Sequence, residues 1–166
     1  MKSRRSRAST DRNLVAFEVG GVAYALDILR VREIVRPLPM VALPHLPPAV
    51  AGVVDHRGDV VPVVDLRVRF GAQATGRDKD VRWLIVTRGS RLLGIVVDRV
   101  LEVFGAASSA TREAPDISTG QAQRGIKGAC SHGGRLLFVL DVDMLTAVVD
   151  EITLPPEPPL LPRGGA

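Results

Sequence analysis

The feature that most restricts how this chain can fold is an internal repeat. Gly52, Gly58 and Asp65 recur as Gly128, Gly134 and Asp141, each 76 positions (128 − 52) further on and without a gap. Upstream, Val31-Arg32-Glu33-Ile34 answers to Val100-Leu101-Glu102-Val103 at an offset of 69 (100 − 31), the difference being absorbed by the loops. Each half therefore carries the same order of hairpin, strand, loop and hairpin. A unit of about 70 residues buries only a modest core alone, so two such units are expected to share apolar surface along a seam.

Within each half the local signals are those of strands. Apolar runs at 14–19 and 22–26 flank Gly20-Gly21, a pair that supplies the positive φ angles of a tight hairpin. Residues 31–36 alternate as a strand, yet Ile28, Val31 and Ile34 also fit one helical face, and both assignments stand. Pro37, Pro39, Pro44, Pro47 and Pro48 then exclude regular structure, because proline lacks the ladder donor and biases its neighbour to extended backbone. A second hairpin joins 50–55 to 60–65 through His56-Arg57-Gly58-Asp59, with Pro62 pointing to an edge strand or a bulge.

After a polar linker at 72–80 the same grammar returns. Strands are expected at 81–87, 92–98, 100–104, 128–131 and 135–141, with turns at Arg88-Gly89-Ser90-Arg91 and His132-Gly133-Gly134 and a long polar stretch at 105–127. Residues 143–149 are expected as a short helix beginning at Asp143. Aromatic residues make up only 4% of the chain against 46% apolar, so the core must come largely from Val, Leu and Ile, which favours strands. The organisation read from these signals is a basic, Ser-rich, disordered leader at 1–12, a domain at 13–150 with subdomains at about 13–71 and 81–150, and a proline-rich tail at 151–166.

Composition and spacing remove several function classes. No apolar run reaches the roughly 18 to 20 residues of a membrane-spanning helix, and Arg4-Arg5 is followed by polar residues where an export signal needs an apolar stretch. The lone Cys130 cannot form an internal disulfide, which fits a reducing, cytoplasmic setting. His45, His56 and His132 stand in separate loops or turns, without nucleophile–base pairing or zinc-like spacing, and His56 and His132 read as equivalent surface turns. The glycine pairs lack the Walker and dinucleotide patterns, so no catalytic residue, metal or cofactor is expected. Much of the net charge of +4 lies in Lys2, Arg4, Arg5, Arg7 and Arg12. That leader offers an alternative reading as a nucleic-acid or nucleoid-associated protein; against it, Tyr24 and Trp83 are the only tyrosine and tryptophan, so stacking platforms are scarce.

The stretch 52–71, GVVDHRGDVVPVVDLRVRFG, closely resembles the signature of CheW-type chemotaxis coupling proteins. Phe17, Gly20, Tyr24, Asp27-Ile28, Val31 and Glu33-Ile34 resemble that family's opening block, and Gly94-Ile95-Val96-Val97-Asp98 with 125–141 resemble its second half. The resemblance implies an all-β fold of two five-stranded SH3-like barrels packed together. It further implies a non-catalytic cytoplasmic adaptor that couples chemoreceptor signalling tips to the regulatory domain of a CheA-type histidine kinase, with no small-molecule substrate. By positional match Val31, Glu33, Gly52 and Arg57 fall where the family's receptor and kinase contacts cluster, with Val100 and Val103 as counterparts in the second half. Gly52 and Gly58 also read as backbone requirements. The groove between two barrels suits an amphipathic helix, and Arg57 on a tight turn suits an acidic partner group. The family usually carries Asn and an apolar residue where this chain has Asp55 and His56.

Overall fold

The structure, a computed structural model, describes residues 12–107, 112 and 125–152. The leader expected at 1–12 and the tail expected at 151–166 lie outside the described residues, apart from Arg12, Glu151 and Ile152. In chain order the elements are β1 (Arg12–Val19), β2 (Val22–Asp27), β3 (Val31–Val35), β4 (Val50–His56), β5 (Asp59–Asp65) and α1 (Leu66–Arg69). The second half repeats them as β6 (Arg82–Arg88), β7 (Arg91–Val97), β8 (Arg99–Ala106), β9 (Ile126–His132), β10 (Arg135–Leu140) and α2 (Val142–Leu145).

The strands form two five-stranded sheets, in the orders β8-β1-β2-β10-β9 and β3-β6-β7-β5-β4. These are one arrangement used twice, for β1 to β5 correspond to β6 to β10 and the corresponding order is identical. The likeness extends to irregularities. The pair β3 and β6 shifts register between Val31 and Glu33, and β8 and β1 shift at the matching point between Ala16 and Phe17. The shift of β4 against β5 at Val50/Gly52 likewise recurs in β9 against β10 at Val139/Leu140. Bulges fix register and twist, so their repetition shows that both copies close with the same geometry.

The sheets do not follow the halves of the sequence. Each first hairpin is inserted into the other half's sheet: β1–β2 sits between β8 and β10, and β6–β7 sits between β3 and β5. The subdomain limits of about 13–71 and 81–150 therefore mark sequence repeats, and each sheet takes strands from both. Two short parallel ladders, Phe138↔Tyr24 with Val139↔Ala25 and Val63↔Gly94 through Asp65↔Val96, weld the exchanged hairpins in place.

Alternation along the exchanged strands explains where the core sits. Leu14 and Ala16 of β1 point into the first barrel with Ala25, Phe104, Leu137 and Val139, whereas Val15, Phe17 and Val19 point out of it. Those outward residues meet Leu84, Val86, Leu93, Ile95 and Val97 of the other hairpin, together with Leu66, Leu140 and Leu145. This central cluster is the largest of three, and the second barrel keeps its own smaller core around Val54, Val61, Val63, Trp83 and Val96. The seam is thus filled by core side chains and is not an open cleft.

Residues 31–35 resolve as strand, because β3 has β6 to pair with, while Arg36 lies beyond it and Ile28–Arg30 form a single 3-10 turn capped by Asp27. Pro62 lies neither on an edge nor at a bulge. Its partner Val53 turns both backbone groups to Val41, at 2.8 and 2.9 Å, and β5 begins pairing with β7 only at Val63, so no ladder needs the missing N–H. The terminal helix starts earlier than expected: Asp141, and not Asp143, caps it, its Oδ1 accepting from the Asp143 and Met144 N–H groups. Asp65 caps α1 in the same way through Arg67 N–H.

Two predictions test this architecture. Residues 13–71 and 81–150 produced as separate chains are expected to show no cooperative melting alone and to regain the native amide spectrum on mixing. Independent folding of either half would show that the exchange is not required. The second concerns Glu18, which accepts from Arg99 of β8 and Arg135 of β10, each at 3.0 Å. Burial pushes its carboxyl up, but the two arginines outweigh that and hold it below its ordinary 4.5. An acid with a depressed folded-state value stabilises above its unfolded value and loses that contribution as pH falls through the folded one. The Tm gap between the natural chain and Glu18→Gln is accordingly expected to be present at pH 7 and to shrink as pH drops below 4.5.

Candidate functional site

The hairpin joining β4 to β5 turns at Arg57-Gly58, whose φ angles are 53° and 87°. Positive φ at both central residues matches the right-handed twist of the strands, and Asp55 Oδ1 locks the turn by accepting from Gly58 N–H at 2.9 Å. At the equivalent turn of β9–β10 the residues are Gly133 and Gly134, with φ 57° and 74°. Glycine adopts this backbone without strain, whereas a non-glycine residue there costs roughly 1–2 kcal/mol. The first copy thus holds an arginine in a strained position that the second copy fills with glycine.

Arg57 is 75% exposed, and its Nη2 donates to Glu33 Oε1 at 3.1 Å. The other carboxylate oxygen, Oε2, lies 3.2 Å from His56 Nε2. The end of β4 is thereby drawn to the edge strand β3, closing the barrel mouth through side chains. The second copy repeats the contact, with His132 Nε2 3.1 Å from Glu102 Oε1 and the His132 ring stacked on Phe104 at 4.1 Å. The two histidines are therefore more than equivalent turn positions. Each faces an acid, and the two acids also correspond.

Of the six residues carried over by resemblance, the structure gathers Glu33 and Arg57 directly. Val31 and Val100 occupy matching places and pack against the central cluster. Val103 is 54% exposed, as is its counterpart Ile34 at 40%, each on an edge strand. Gly52 is buried, and its position answers to packing: a Cβ there would stand 2.6 Å from Val41 O and 2.8 Å from Met40 Cγ. Where β3 and β8 approach, Ile34 and Val100 share a groove with Arg77, Arg82, Arg99 and Asp80. Sequence reasoning missed Ile34 and the arginines, although Ile34 aligns with Val103 at the offset of 69.

The rest of the described surface bears on the other readings. Among the described residues no group of three or more His, Cys, Asp or Glu is placed to hold a metal. Cys130 is buried in the first barrel, which raises its thiol's pKa. The aromatic residues serve packing, with Tyr24 stacked on Phe70 at 4.9 Å and Trp83 4% exposed. No helix among the described residues is long and apolar enough to cross a membrane. Because Gly52 answers to a backbone approach, Gly52→Ala is expected to destabilise by about 1–3 kcal/mol in chemical denaturation, the range for overpacking. A neutral effect would return Gly52 to the list of contact residues.

Comparison with known proteins agrees with this geometry. The CheW-like domain family matches residues 13–150. The chain is 30% identical over 155 residues to the chemotaxis protein CheW of Klebsiella aerogenes, covering 90% of this chain and 93% of that one. It is 32% identical over 134 residues to the chemotaxis protein CheW of Rhizobium meliloti, covering 80% and 85%. Among solved structures, the scaffolding protein TtCheW from Thermoanaerobacter tengcongensis superposes with a TM-score of 0.75 at 26% identity, over 82% of this chain and 93% of that one. With the duplicated sheets, the exchanged hairpins and a match across the whole folded region, this chain belongs to the CheW-like domain family.

Proposed function

We propose that this chain is a chemotaxis-type adaptor, joining the cytoplasmic signalling tips of chemoreceptors to the regulatory domain of a CheA-type histidine kinase. It is a scaffold and not an enzyme. The observation that carries the site assignment is Arg57, an exposed arginine kept in left-handed backbone where the second copy has glycine. Retained strain of this kind marks positions where the side chain does something the fold does not need. Its planar fork suits a carboxylate on a receptor helix.

The groove between β3 and β8 complements it. Ile34 and Val100 offer apolar surface for the stripe of an amphipathic helix. Arg77 faces Asp80 at 3.5 Å and Arg99 is bound to Glu18 at 3.0 Å, but among the described residues Arg82 bonds only backbone carbonyls, and its charge favours an acidic residue along the helix flank. A kinase regulatory domain of the same fold would meet a different face, and Val103, 54% exposed on the edge strand β8, is the candidate contact there. The absence of a spanning helix among the described residues is compatible with a cytoplasmic place at receptor arrays.

The test is binding of the full chain to a receptor cytoplasmic fragment and, separately, to the kinase regulatory domain. Binding to neither ends the adaptor reading. Arg57→Glu is expected to leave the fold intact and weaken the receptor by fivefold or more, about 1 kcal/mol for one charged contact, with reversed charge adding to the loss. Arg57→Gly is expected to raise stability by up to about 1 kcal/mol, by removing the strain, while also weakening receptor binding. Unchanged affinity in both variants would remove Arg57 from the site.

A further inference from the structure

The two copies differ in how they fill one place beside their parallel ladders. In the first, Tyr24 lies 4.9 Å from Phe70 and 6.2 Å from Phe138, ring centre to ring centre. The offsets of 69 and 76 carry Tyr24 onto Leu93 and Phe138 onto Pro62, and Phe70, which ends α1, answers to Thr146, which ends α2. Three aromatic rings are thus replaced by three smaller side chains. Thr146 cannot substitute for the ring of Phe70, because it is fully buried with its hydroxyl donating to Val142 O at 2.6 Å. What the second copy has at this place is a cavity of about 250 Å³, walled by Val60, Pro62, Leu92, Leu93 and Val149, with the exposed Arg91 at its rim. Protein interiors rarely leave so much apolar wall uncovered.

In the first copy the ring that closes this place comes from the chain directly after the helix, at Phe70. The chain after α2 is led to the same place. Asp150 pairs with Arg88 beside the β6–β7 turn at 2.7 Å, Val149 lines the cavity, and the Ile152 N–H donates to Val149 O at 3.1 Å. Leu154 is the second residue past Ile152, where the described chain stops, and Pro155 and Pro156 follow it. An extended chain advances about 3.3–3.6 Å per residue, so Leu154 starts within about 7 Å of Ile152. Leu160 and Leu161 are tethered far more loosely, eight and nine residues on (160 − 152, 161 − 152). We infer that the cavity is a docking site for the chain's own tail, filled by the Leu154 side chain with Pro155 against the rim. A leucine and a proline return part of the apolar bulk that aromatic rings give the first copy, and burying them removes both the wall and the tail residues from water. The short tether supplies the high effective concentration that a separate partner lacks. Neither Arg57 nor any partner enters this inference, so it stands or fails apart from the adaptor reading.

The experiment uses the full chain with labelled leucine and valine methyl groups. NMR is expected to show contacts from the Leu154 methyls to those of Val60, Leu93 and Val149 within one molecule. Leu154→Asp, which alters a residue outside the described fold, is expected to shift the Leu93 and Val149 methyl signals and to lower Tm by about 2–4 °C, the change expected for losing one modest apolar contact in a chain of this size. Leu154→Met, which keeps an apolar side chain, is expected to retain most of that stability, and Leu160→Asp to change neither signal nor Tm. Unmoved cavity methyls in Leu154→Asp overturn the inference. So does an equal effect from Leu160→Asp, which would place a different part of the tail in the cavity. Contacts seen only between differently labelled molecules in a mixed sample overturn it in favour of a second copy, and cavity methyls in contact with water alone overturn it in favour of an unfilled cavity.

Discussion

Everything in this molecule depends on the exchange of two hairpins. Because β1–β2 completes the sheet of the second half and β6–β7 that of the first, each barrel is finished by its neighbour's residues. The outward faces of the two hairpins supply Val15, Phe17, Val19, Leu84, Val86, Leu93 and Ile95 to a single cluster. Fully burying a side chain of this size contributes about 1.5–3 kcal/mol, whereas an exposed ion pair contributes about 0–1 kcal/mol. Polar ties across the halves, such as Arg30 with Asp143 at 2.6 Å, are therefore secondary in energy. Their part is to set register. The buried Asp98 does this at the β1–β2 turn, taking the Gly20 N–H at 2.7 Å and the Thr75 hydroxyl at 3.1 Å on one oxygen.

Duplication then leaves room for the copies to diverge where the core is not at stake. Backbone features have stayed alike: Asp65 N–H donates to Ala49 O and Asp141 N–H to Gly125 O, at 2.8 and 2.7 Å, and Val41 bridges β4 as Arg112 bridges β9. The turns have not. Arg57 and Gly133 stand on the same backbone, one exposing a charged fork at some cost in strain, the other exposing nothing. An adaptor with two similar ends needs such a difference if its partners are to tell the ends apart, since specificity is a difference of affinities between alternative dockings.

Much of this was legible in the sequence, and the exceptions have physical causes. Repeat offsets, strand positions and turns follow from local chemistry, so glycine pairs, proline breaks and alternating valines located nearly every element. The hairpin exchange was not legible, because β1–β2 and β6–β7 share one pattern and either would satisfy either sheet; only the packed three-dimensional core decides. The helical reading of Ile28, Val31 and Ile34 holds only for the single 3-10 turn Ile28–Arg30, because from Val31 onward pairing with β6 overrides the short local period. A helix start at Asp143 is suggested by the apolar run that follows it, whereas Asp141 has the extended backbone, ψ 117°, that a cap requires. The Glu33–His56 contact joins residues far apart in sequence. A signal for it did exist, since the two offsets carry Glu33 onto Glu102 and His56 onto His132, a joint recurrence that two unrelated surface residues would not show.

Edge protection and partner binding turn out to be one problem in this fold. Each open sheet leaves two edge strands, and an uncovered edge invites pairing with other chains. Val41 and Arg112 cover the outer sides of β4 and β9 with backbone bonds. Strands β3 and β8 have no such cover among the described residues; they carry charge instead, Arg32, Glu33 and Arg36 on or beside one and Arg99 and Glu102 on the other. The glutamates on these strands are the ones that reach the histidines, so charges that discourage indiscriminate strand addition also close the barrel mouths. The surface proposed for a partner, the groove lined by Ile34 and Val100 with the turn at Arg57, is bounded by charged residues. A helix with matching acidic groups satisfies that boundary, and an unmatched β-edge does not.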